Sequence, residues 1–232
     1  MGSVIALIPA AGKGLRMKSD IEKPYLEIGG HPLLGHTLDA FDRCQEVDGY
    51  VLAVDPGRQD DCRRVVERFG YDRVWQIVPG GTTRQESVYL GLQALGQDVE
   101  IVIVHDAARP CVDSALITAS VAQCRTDRAV LVAVPVKDTV KVVENGVVTH
   151  TPDRATLWLA QTPQTFDRSL LMKAHQQARS EGYIGTDDAA LVERIGHSVH
   201  ILSGDYENIK VTTPEDLDTA AQILSHRLVS EK

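Results

Sequence analysis

The chain has 232 residues, of which 43% are hydrophobic and 24% charged, a composition typical of a globular protein that excludes a disordered or fibrous one. Its formal net charge of −8 disfavours nucleic acid and anionic membranes as partners, because both are polyanions. We therefore expect a single domain covering residues 1–232, in which any bound phosphate is held by a local concentration of positive charge.

The cysteines and the first apolar run indicate the compartment. The cysteines are dispersed without C-x-x-C spacing, which predicts free thiols in a reducing compartment rather than disulfides or a zinc site: Cys44, Cys62, Cys111 and Cys124. The apolar run 4–9 is too short for a signal or membrane segment and has no basic leader. We expect a cytoplasmic protein.

Short β-branched runs alternate with amphipathic stretches along the chain, which predicts parallel strands connected by crossover helices and an α/β fold. The runs are apolar on both faces, as central strands of a parallel sheet require. The candidate strands are 4–8, 50–54, 74–78, 101–105, 129–134 and 199–202.

Three stretches between these runs place apolar residues on one face of a helix, which predicts core packing. They are Leu34, Leu38 and Phe41; Val88, Leu92 and Leu95; and Ile117, Val121 and Cys124.

Two further patterns predict helix starts. Thr83 followed by Glu86 predicts a capping box, and Thr213 followed by Pro214 predicts a capped start of the last helix. The last helix should turn its leucines inward, at Leu217, Leu224 and Leu228.

One segment departs from the alternation of strands and helices. Residues 139–144 and 147–150 are alternating runs separated by Asn145-Gly146, which is a strong hairpin signal. The segment 137–156, called the arm below, is therefore predicted to protrude from the sheet as a β-hairpin. It is a candidate contact for a partner subunit or a lid over the site.

A loop of small residues, PAAGKGLRM at 9–17, follows the first predicted strand. It would leave backbone N–H groups free at the carboxyl edge of the sheet, where open α/β folds bind ligands. Two known motifs fail here: the dinucleotide fingerprint needs a third glycine where Met17 stands, and the P-loop needs Ser or Thr where Gly14 stands.

The charges around this loop suit a polyphosphate. Backbone N–H groups at a helix start supply about half a positive charge, whereas a nucleoside triphosphate carries about four negative ones. This shortage of positive charge explains why cationic residues cluster here in an otherwise acidic chain, at Lys13, Arg16, Lys18 and Lys23. A divalent cation is expected as well.

The loop and the following KPYLEIGGHPLLGHTL at 23–38 resemble nucleotidyltransferases that activate sugar phosphates. Five further blocks resemble the 2-C-methyl-D-erythritol 4-phosphate cytidylyltransferase family of the non-mevalonate isoprenoid pathway. They are PGGTTRQESVYLGL at 79–92, VHDAARPCV at 104–112, VPVKDTVK at 134–141, LAQTPQTF at 159–166 and NIKVTTPEDL at 208–217.

This resemblance spans nearly the whole chain and implies a reaction: transfer of CMP from CTP to methylerythritol phosphate, with release of pyrophosphate. It also implies a Rossmann-like fold with helices flanking a mostly parallel twisted sheet, a homodimer built partly through the arm, and dependence on Mg²⁺. Two alternatives stay open at this point. One is a cytidylyltransferase for another polyol phosphate, such as ribitol 5-phosphate; the other is a nucleotide-binding regulator without turnover.

The acceptor phosphate is already a nucleophile, so catalysis reduces to positioning and charge neutralisation at the α-phosphorus. By resemblance, Arg16 and Lys23 stabilise the transition state and the departing pyrophosphate, while Arg154 and Lys210 position the acceptor phosphate. The segments that match the nucleotide-binding positions of the family contain Pro9, Ala10, Ala11, Gly12, Lys13, Gly14, Gly80, Gly81, Arg84 and Ser87.

The acceptor side is predicted around Asp106, which comes just after a buried strand and could hold either the acceptor hydroxyls or Mg²⁺. Arg109 could contact the acceptor or simply pair with Asp106. Thr139 and Thr162 match acceptor-contacting positions, and His105 is interpreted as structural because this chemistry gives it nothing to deprotonate.

Three residues depart from what is common in the family: Pro24, Thr82 and Glu207. The last replaces a frequent Asp by a side chain one methylene longer, which would alter metal geometry if that carboxylate were a metal ligand.

Overall fold

Strands and helices alternate along most of the chain in a computed structural model that describes residues 2–12 and 22–230. The strands are β1 Ser3–Ala10, β2 Glu27–Ile28, β3 His31–Pro32, β4 Gly49–Val54, β5 Val74–Pro79, β6 Val99–Val104, β7 Ala129–Pro135, β8 Val142–Glu144, β9 Val147–His150, β10 Trp158–Asp167 and β11 His200–Ser203. The helices are α1 Leu33–Asp42, α2 Gln59–Phe69, α3 Arg84–Gln93, α4 Ser114–Asp127, α5 Arg168–Glu181, α6 Asp188–Arg194 and α7 Pro214–Ser230.

Seven strands form one sheet in the order β11-β7-β10-β6-β1-β4-β5. The pairs β1–β4, β1–β6, β4–β5 and β7–β11 are parallel, and only β10 runs antiparallel to its two neighbours. Helices cover the sheet, so the predicted α/β fold with a mostly parallel sheet is confirmed. The parallel strands meet with their carboxyl ends at one edge, where ligands bind in such folds.

Within the seven-stranded sheet, β10 is the strand that the sequence pattern did not predict. Its middle is polar yet buried: Gln161, Thr162, Gln164 and Thr165 are each at most 6% exposed. Pairing with β7 is interrupted between Ala160 and Gln164, around a cis peptide bond at Thr162-Pro163. Proline and buried polar residues argue against a central strand in a sequence, which is why apolar periodicity missed it.

The two faces of the sheet bury separate cores. Along β1, Val4, Ala6 and Ile8 pack with α1 and α4 residues, while Ile5 and Leu7 pack with α3 and α5 residues. This alternation is what a strand covered on both faces requires. All three predicted apolar triplets are buried, with no member more than 6% exposed, so their core assignment is confirmed.

The predicted helix caps are partly right. Thr83 accepts a hydrogen bond from the Glu86 N–H at 3.0 Å, but the Glu86 carboxylate binds the N–H and hydroxyl of Thr82, so the reciprocal half of that capping box is wrong. Thr213 does form a reciprocal pair with Asp216 at the start of α7.

Helix α7 packs on a third apolar cluster that includes Ile28, Leu33 and Val211. Leu217 and Leu224 are partly buried against it, as predicted, whereas the side chain of Leu228 lies outside the described part of the chain.

The arm carries β8 and β9, which pair with each other in a small sheet separate from the main one. Asn145 and Gly146 have φ of 51° and 79°, the backbone that a two-residue type I′ turn requires. The predicted hairpin is confirmed, although its first strand begins at Val142 rather than at residue 139. Val143, Val147 and Val148 are 53%, 67% and 53% exposed, so the arm presents apolar side chains to solvent on both faces, with the paired Val143 and Val148 on one face and Val147 on the other.

Candidate active site

The predicted nucleotide segments lie side by side at the carboxyl edge of the sheet. Gly80 donates its N–H to the carbonyl of Val54 at 2.6 Å, and Gly81 donates to the Ser87 hydroxyl at 3.0 Å. The Ser87 hydroxyl in turn donates to the Thr83 carbonyl at 2.9 Å. The Ser87 side chain therefore closes the loop between β5 and α3.

The local reasons for a glycine differ between the positions in these segments. A Cβ on Gly80 would lie 2.5 Å from the Cβ of Ala11, and a Cβ on Gly81 would collide with the Glu86 side chain. A Cβ on Gly12 would meet no described atom within 4 Å. Gly80 is thus required by packing against Ala11, and Gly81 by packing unless the Glu86 side chain moves, while none of the described residues blocks a ligand beside Gly12.

We expect Gly80→Ala to lower the free energy of unfolding by about 1–3 kcal/mol, because the new methyl group overpacks Ala11. Gly12→Ala should change it by no more than about 0.5 kcal/mol but weaken CTP binding. Urea unfolding and calorimetric CTP titration of both variants check this. Equal destabilisation of the two would contradict the assignment of Gly12 to the ligand side.

Two predicted residues from distant parts of the sequence, Arg84 and Lys210, converge on Asp106. Its carboxylate accepts from Arg84 Nε at 2.9 Å on one oxygen and from Lys210 Nζ at 2.6 Å on the other, and the residue is only 7% exposed. Burial alone would raise the pKa of Asp106, but the two cations outweigh it and hold that pKa well below its usual range. Asp106 is therefore ionised at neutral pH and holds Lys210 in place.

This pairing bears on the choice between acceptor hydroxyls and Mg²⁺ at Asp106. With a cation already on each oxygen, a divalent ion there would be repelled by Arg84 and Lys210, so the carboxylate does not fit a magnesium ligand. Each oxygen keeps a second lone pair that a hydroxyl could use. The geometry favours the acceptor hydroxyls.

Another group in the described residues has ligand atoms close enough to share a metal: His31, His36 and Asp39. His31 Nε2 already pairs with Asp39 at 2.9 Å and with the Tyr71 hydroxyl at 3.0 Å. His36 Nε2 lies 3.0 Å from the carbonyl oxygen of Ile28. These contacts tie α1 to its neighbours, and none of them reaches Asp106.

A buried hydrogen-bond chain supports the loop that carries Asp106. The Asp106 N–H donates to the Thr162 hydroxyl at 3.1 Å, which leaves that hydroxyl to donate to His105 Nδ1 at 3.0 Å. His105 Nε2 must then carry the proton and donate to the Arg109 carbonyl at 3.2 Å. His105 is structural, as predicted from the sequence, and Thr162 fixes the backbone of Asp106.

Burial lowers the pKa of His105 to about 4. Below pH 6.5 the unfolded chain therefore binds a proton that the folded protein does not, so the free energy of unfolding should fall by about 3 kcal/mol between pH 6.5 and 4 on this account. His105→Gln keeps a donor for Arg109 but does not titrate. Urea unfolding across this range should show a weaker pH dependence for the variant; identical slopes would contradict the assignment.

Arg109 does not pair with Asp106 directly. Its guanidinium donates to the carbonyls of Asn208 at 2.7 Å and Ala160 at 3.4 Å, and its buried Nε has no hydrogen-bond partner among the residues that the structure describes. Burial lowers the pKa of Arg109 from its usual value. The interpretation of Arg109 as an ion-pair partner of Asp106 is therefore wrong. Its contact with the acceptor stays a prediction.

The remaining predicted residues belong to other elements of the fold or lie outside the described residues. Lys23 begins a 3-10 helix, Lys23–Tyr25, and is partly buried. Thr139 and Arg154 belong to the arm and are exposed; Arg154 donates to the Lys137 carbonyl at 2.6 Å. The predictions for Lys13, Gly14 and Arg16 lie outside the described residues.

Sequence reasoning missed the buried polar residues behind the cluster, chief among them His175, Asp188 and Asn208. Asn208 donates to the Thr162 carbonyl at 2.8 Å, and Asp188 pairs with Arg84 at 2.6 Å. Asn208 stands inside a recognised block, but Asp188 is separated from Arg84 by 104 positions and belongs to no motif. Only the fold brings them together.

Known proteins resemble this chain over nearly its full length. The family model described as IspD, 2-C-methyl-D-erythritol 4-phosphate cytidylyltransferase, matches residues 4–226. Proteins of that name from Desulforamulus reducens and Geobacter metallireducens are 46% and 47% identical, covering 98% and 97% of this chain and 98% and 99% of their own. The crystal structure of 4-diphosphocytidyl-2C-methyl-D-erythritol synthase from Anaerococcus prevotii has a TM-score of 0.86 at 35% identity, covering 97% of this chain and 96% of that one. The cytidylyltransferase structure from Thermus thermophilus has a TM-score of 0.78 at 33% identity, covering 97% and 98%.

Proposed function

The chain belongs to the 2-C-methyl-D-erythritol 4-phosphate cytidylyltransferase family, and on that premise we propose that it transfers CMP from CTP to methylerythritol phosphate. The products are 4-diphosphocytidyl-2-C-methyl-D-erythritol and pyrophosphate, the first of which serves non-mevalonate isoprenoid precursor synthesis. The observation that carries the assignment is the Arg84–Asp106–Lys210 cluster beside the glycine loops at the carboxyl edge of the sheet.

In this reaction a phosphate oxygen of the acceptor forms a bond to the α-phosphorus of CTP, and the bond between the α-phosphorus and the bridging oxygen breaks. Pyrophosphate leaves with that electron pair. Because the attacking oxygen carries no proton to remove, the protein needs cations rather than a general base. Lys210 suits this role because its side chain is 39% exposed and can reach a bound phosphate while Asp106 orients it.

The other proposed roles rest on family resemblance. Arg16 and Lys23 neutralise charge on the triphosphate and the departing pyrophosphate, and Arg154 with Lys210 positions the acceptor phosphate. Mg²⁺ is proposed as the cofactor that neutralises phosphate charge. Because Asp106 does not fit as its ligand, its oxygen ligands are expected mainly from the phosphates, as is common for this ion.

We also propose a homodimer in which the arm packs against a second copy of the chain. The valines of the arm are exposed, and so are Trp158 and Leu159, which follow the arm in sequence at the start of β10 and are 41% and 55% exposed. Apolar side chains in such a group mark an interface more often than bare surface. Thr139 and Arg154 are both exposed on the arm, and Arg154 donates within the arm, to the Lys137 carbonyl, which supports their action across that interface.

A cytoplasmic location is proposed on the four cysteines, which are free and buried. Within residues 2–12 and 22–230, none of the helices combines the length and hydropathy that a bilayer-spanning segment needs.

The acceptor is tested by incubating the protein with CTP and Mg²⁺ and with methylerythritol phosphate or ribitol 5-phosphate in parallel, and by measuring pyrophosphate release. We expect methylerythritol phosphate to be strongly preferred. A preference for ribitol phosphate would replace the proposed acceptor. CTP binding in calorimetry without turnover of any polyol phosphate would instead indicate a regulator.

A further inference from the structure

Behind Arg84 lies a buried carboxylate that the proposed chemistry does not use. Arg84 spans two acids: its Nε donates to Asp106 at 2.9 Å and its Nη1 donates to Asp188 at 2.6 Å. The other oxygen of Asp188 lies 2.9 Å from Nε2 of His175. Because a carboxylate can only accept, that nitrogen carries the proton. Asp188 is 1% exposed and His175 is fully buried.

Asp188 is also fixed through its backbone. The side-chain oxygen of Gln164 accepts from the N–H groups of Asp188 at 3.1 Å and Ala189 at 3.0 Å. The neighbouring Asp187 caps α6 by accepting from Ala190 N–H at 2.9 Å, and Gln164 Nε2 donates to Asp187 at 2.8 Å. The Asp188 carboxylate therefore has a set position before any ligand binds.

The charges of this group balance. Arg84 and Lys210 supply two positive charges, and Asp106 and Asp188 supply two negative ones. If Asp188 were absent, both cations would share the single carboxylate of Asp106. Repulsion between the two cations would then favour displacement of Arg84 from the position that the fold gives it. Burial would raise the pKa of Asp188, but Arg84 and the bond from His175 hold it below its usual value, so it is ionised.

We propose that Asp188, oriented by His175, is a positioning residue that holds Arg84 against Asp106 and so couples the nucleotide side of the site to the acceptor side. The proposal rests on the proposed function, in which Arg84 belongs to the nucleotide segments and Asp106 to the acceptor. Asp188 touches neither substrate; it acts through Arg84. A rigid support of this kind matters because displacement by about 1 Å can lower rates by about a hundredfold.

Asp188→Asn is expected to lower kcat/KM for CTP by about 10–100-fold, mainly through a higher KM, because Arg84 loses one of its two anchors. Glu193→Gln is the matched control. It removes the same charge from the same helix, at a side chain that is exposed to solvent and lies outside the contacts described for Arg84, Asp188 and Gln164. The control should stay within about twofold of the wild type in kcat/KM.

A double-mutant cycle with Arg84→Lys separates positioning from stability. Lysine has a single ammonium group and cannot span both carboxylates, so Asp188→Asn should have little further effect on kcat/KM in that background. Independent, additive losses would overturn the proposal. Rescue gives a second check: His175→Gln keeps an N–H for Asp188 and should retain most activity, whereas His175→Leu should behave like Asp188→Asn.

One readout needs no substrate and so stands apart from the proposed function. In ¹⁵N-arginine NMR, the Arg84 Nε–H signal, identified by its loss in Arg84→Lys, should exchange slowly in the wild type and in Glu193→Gln. It should broaden or exchange rapidly in Asp188→Asn. An unchanged Arg84 signal in that variant would refute the positioning role, whereas absent turnover in a wild type with this signal intact would refute only the proposed function.

Discussion

Lys210→Met is expected to lower kcat/KM for methylerythritol phosphate by about 10²–10³-fold, the usual effect of removing one preorganised donor of charge from a reacting phosphate or acyl centre. Methionine keeps nearly the length and shape of the side chain but leaves one oxygen of Asp106 without its cation. Arg84 still holds the other oxygen, so the carboxylate should stay ionised and in place. Steady-state pyrophosphate release at varied acceptor concentration measures the loss.

Lys173→Met is the matched control for this substitution, because Lys173 is exposed on α5 and its replacement removes the same charge from the chain. Its kcat/KM should stay within about twofold of the wild type. If Lys210→Met kept full activity, Lys210 would serve only to neutralise Asp106. Thermal unfolding of both variants would distinguish a lost charge from loss of the fold.

Arg154→Ala should be nearly as inactive as Lys210→Met, yet a mixture of the two variants should recover about a quarter of wild-type activity in a two-fold symmetric dimer. In the proposed dimer, the arm of one subunit serves the Lys210 site of the other. A mixed dimer then has one site with both residues intact and one with both replaced. About half of the dimers in a randomly reassorted mixture are mixed.

Recovery requires exchange of subunits, which sedimentation of the mixture after dilution and reconcentration would verify. If each site were completed within one chain, every subunit of the mixture would lack one residue and activity would stay at the level of the separate variants. A wild-type protein that sediments as a monomer would exclude the dimer altogether. Shortening the arm around Asn145-Gly146 should weaken the dimer, because it removes the exposed valines.

Local patterns were sufficient wherever backbone conformation or burial follows from neighbouring residues. The hairpin at Asn145-Gly146 is an example, since its turn needs positive φ at two successive residues and the sequence supplies residues that tolerate it. The apolar strands and the helix triplets are others, because a 2-residue or 3.6-residue period fixes which face is buried. β10 escaped this reasoning because its buried middle is polar, and its hydrogen bonds come from partners far away in sequence.

By itself the sequence determined the α/β class and the family. It also identified Asp106, Arg84, Lys210 and Thr162 as candidate site residues. The tertiary structure alone decided that Arg84 joins Asp106 to Asp188, that Arg109 avoids that carboxylate, and that Gly80 is required by Ala11 rather than by a ligand. The physical reason is the separation along the chain between the residues that interact. Hydrogen-bonded turns and amphipathic faces are set by residues a few positions apart, whereas these ion pairs form between groups that only the assembled sheet brings within 3 Å of each other.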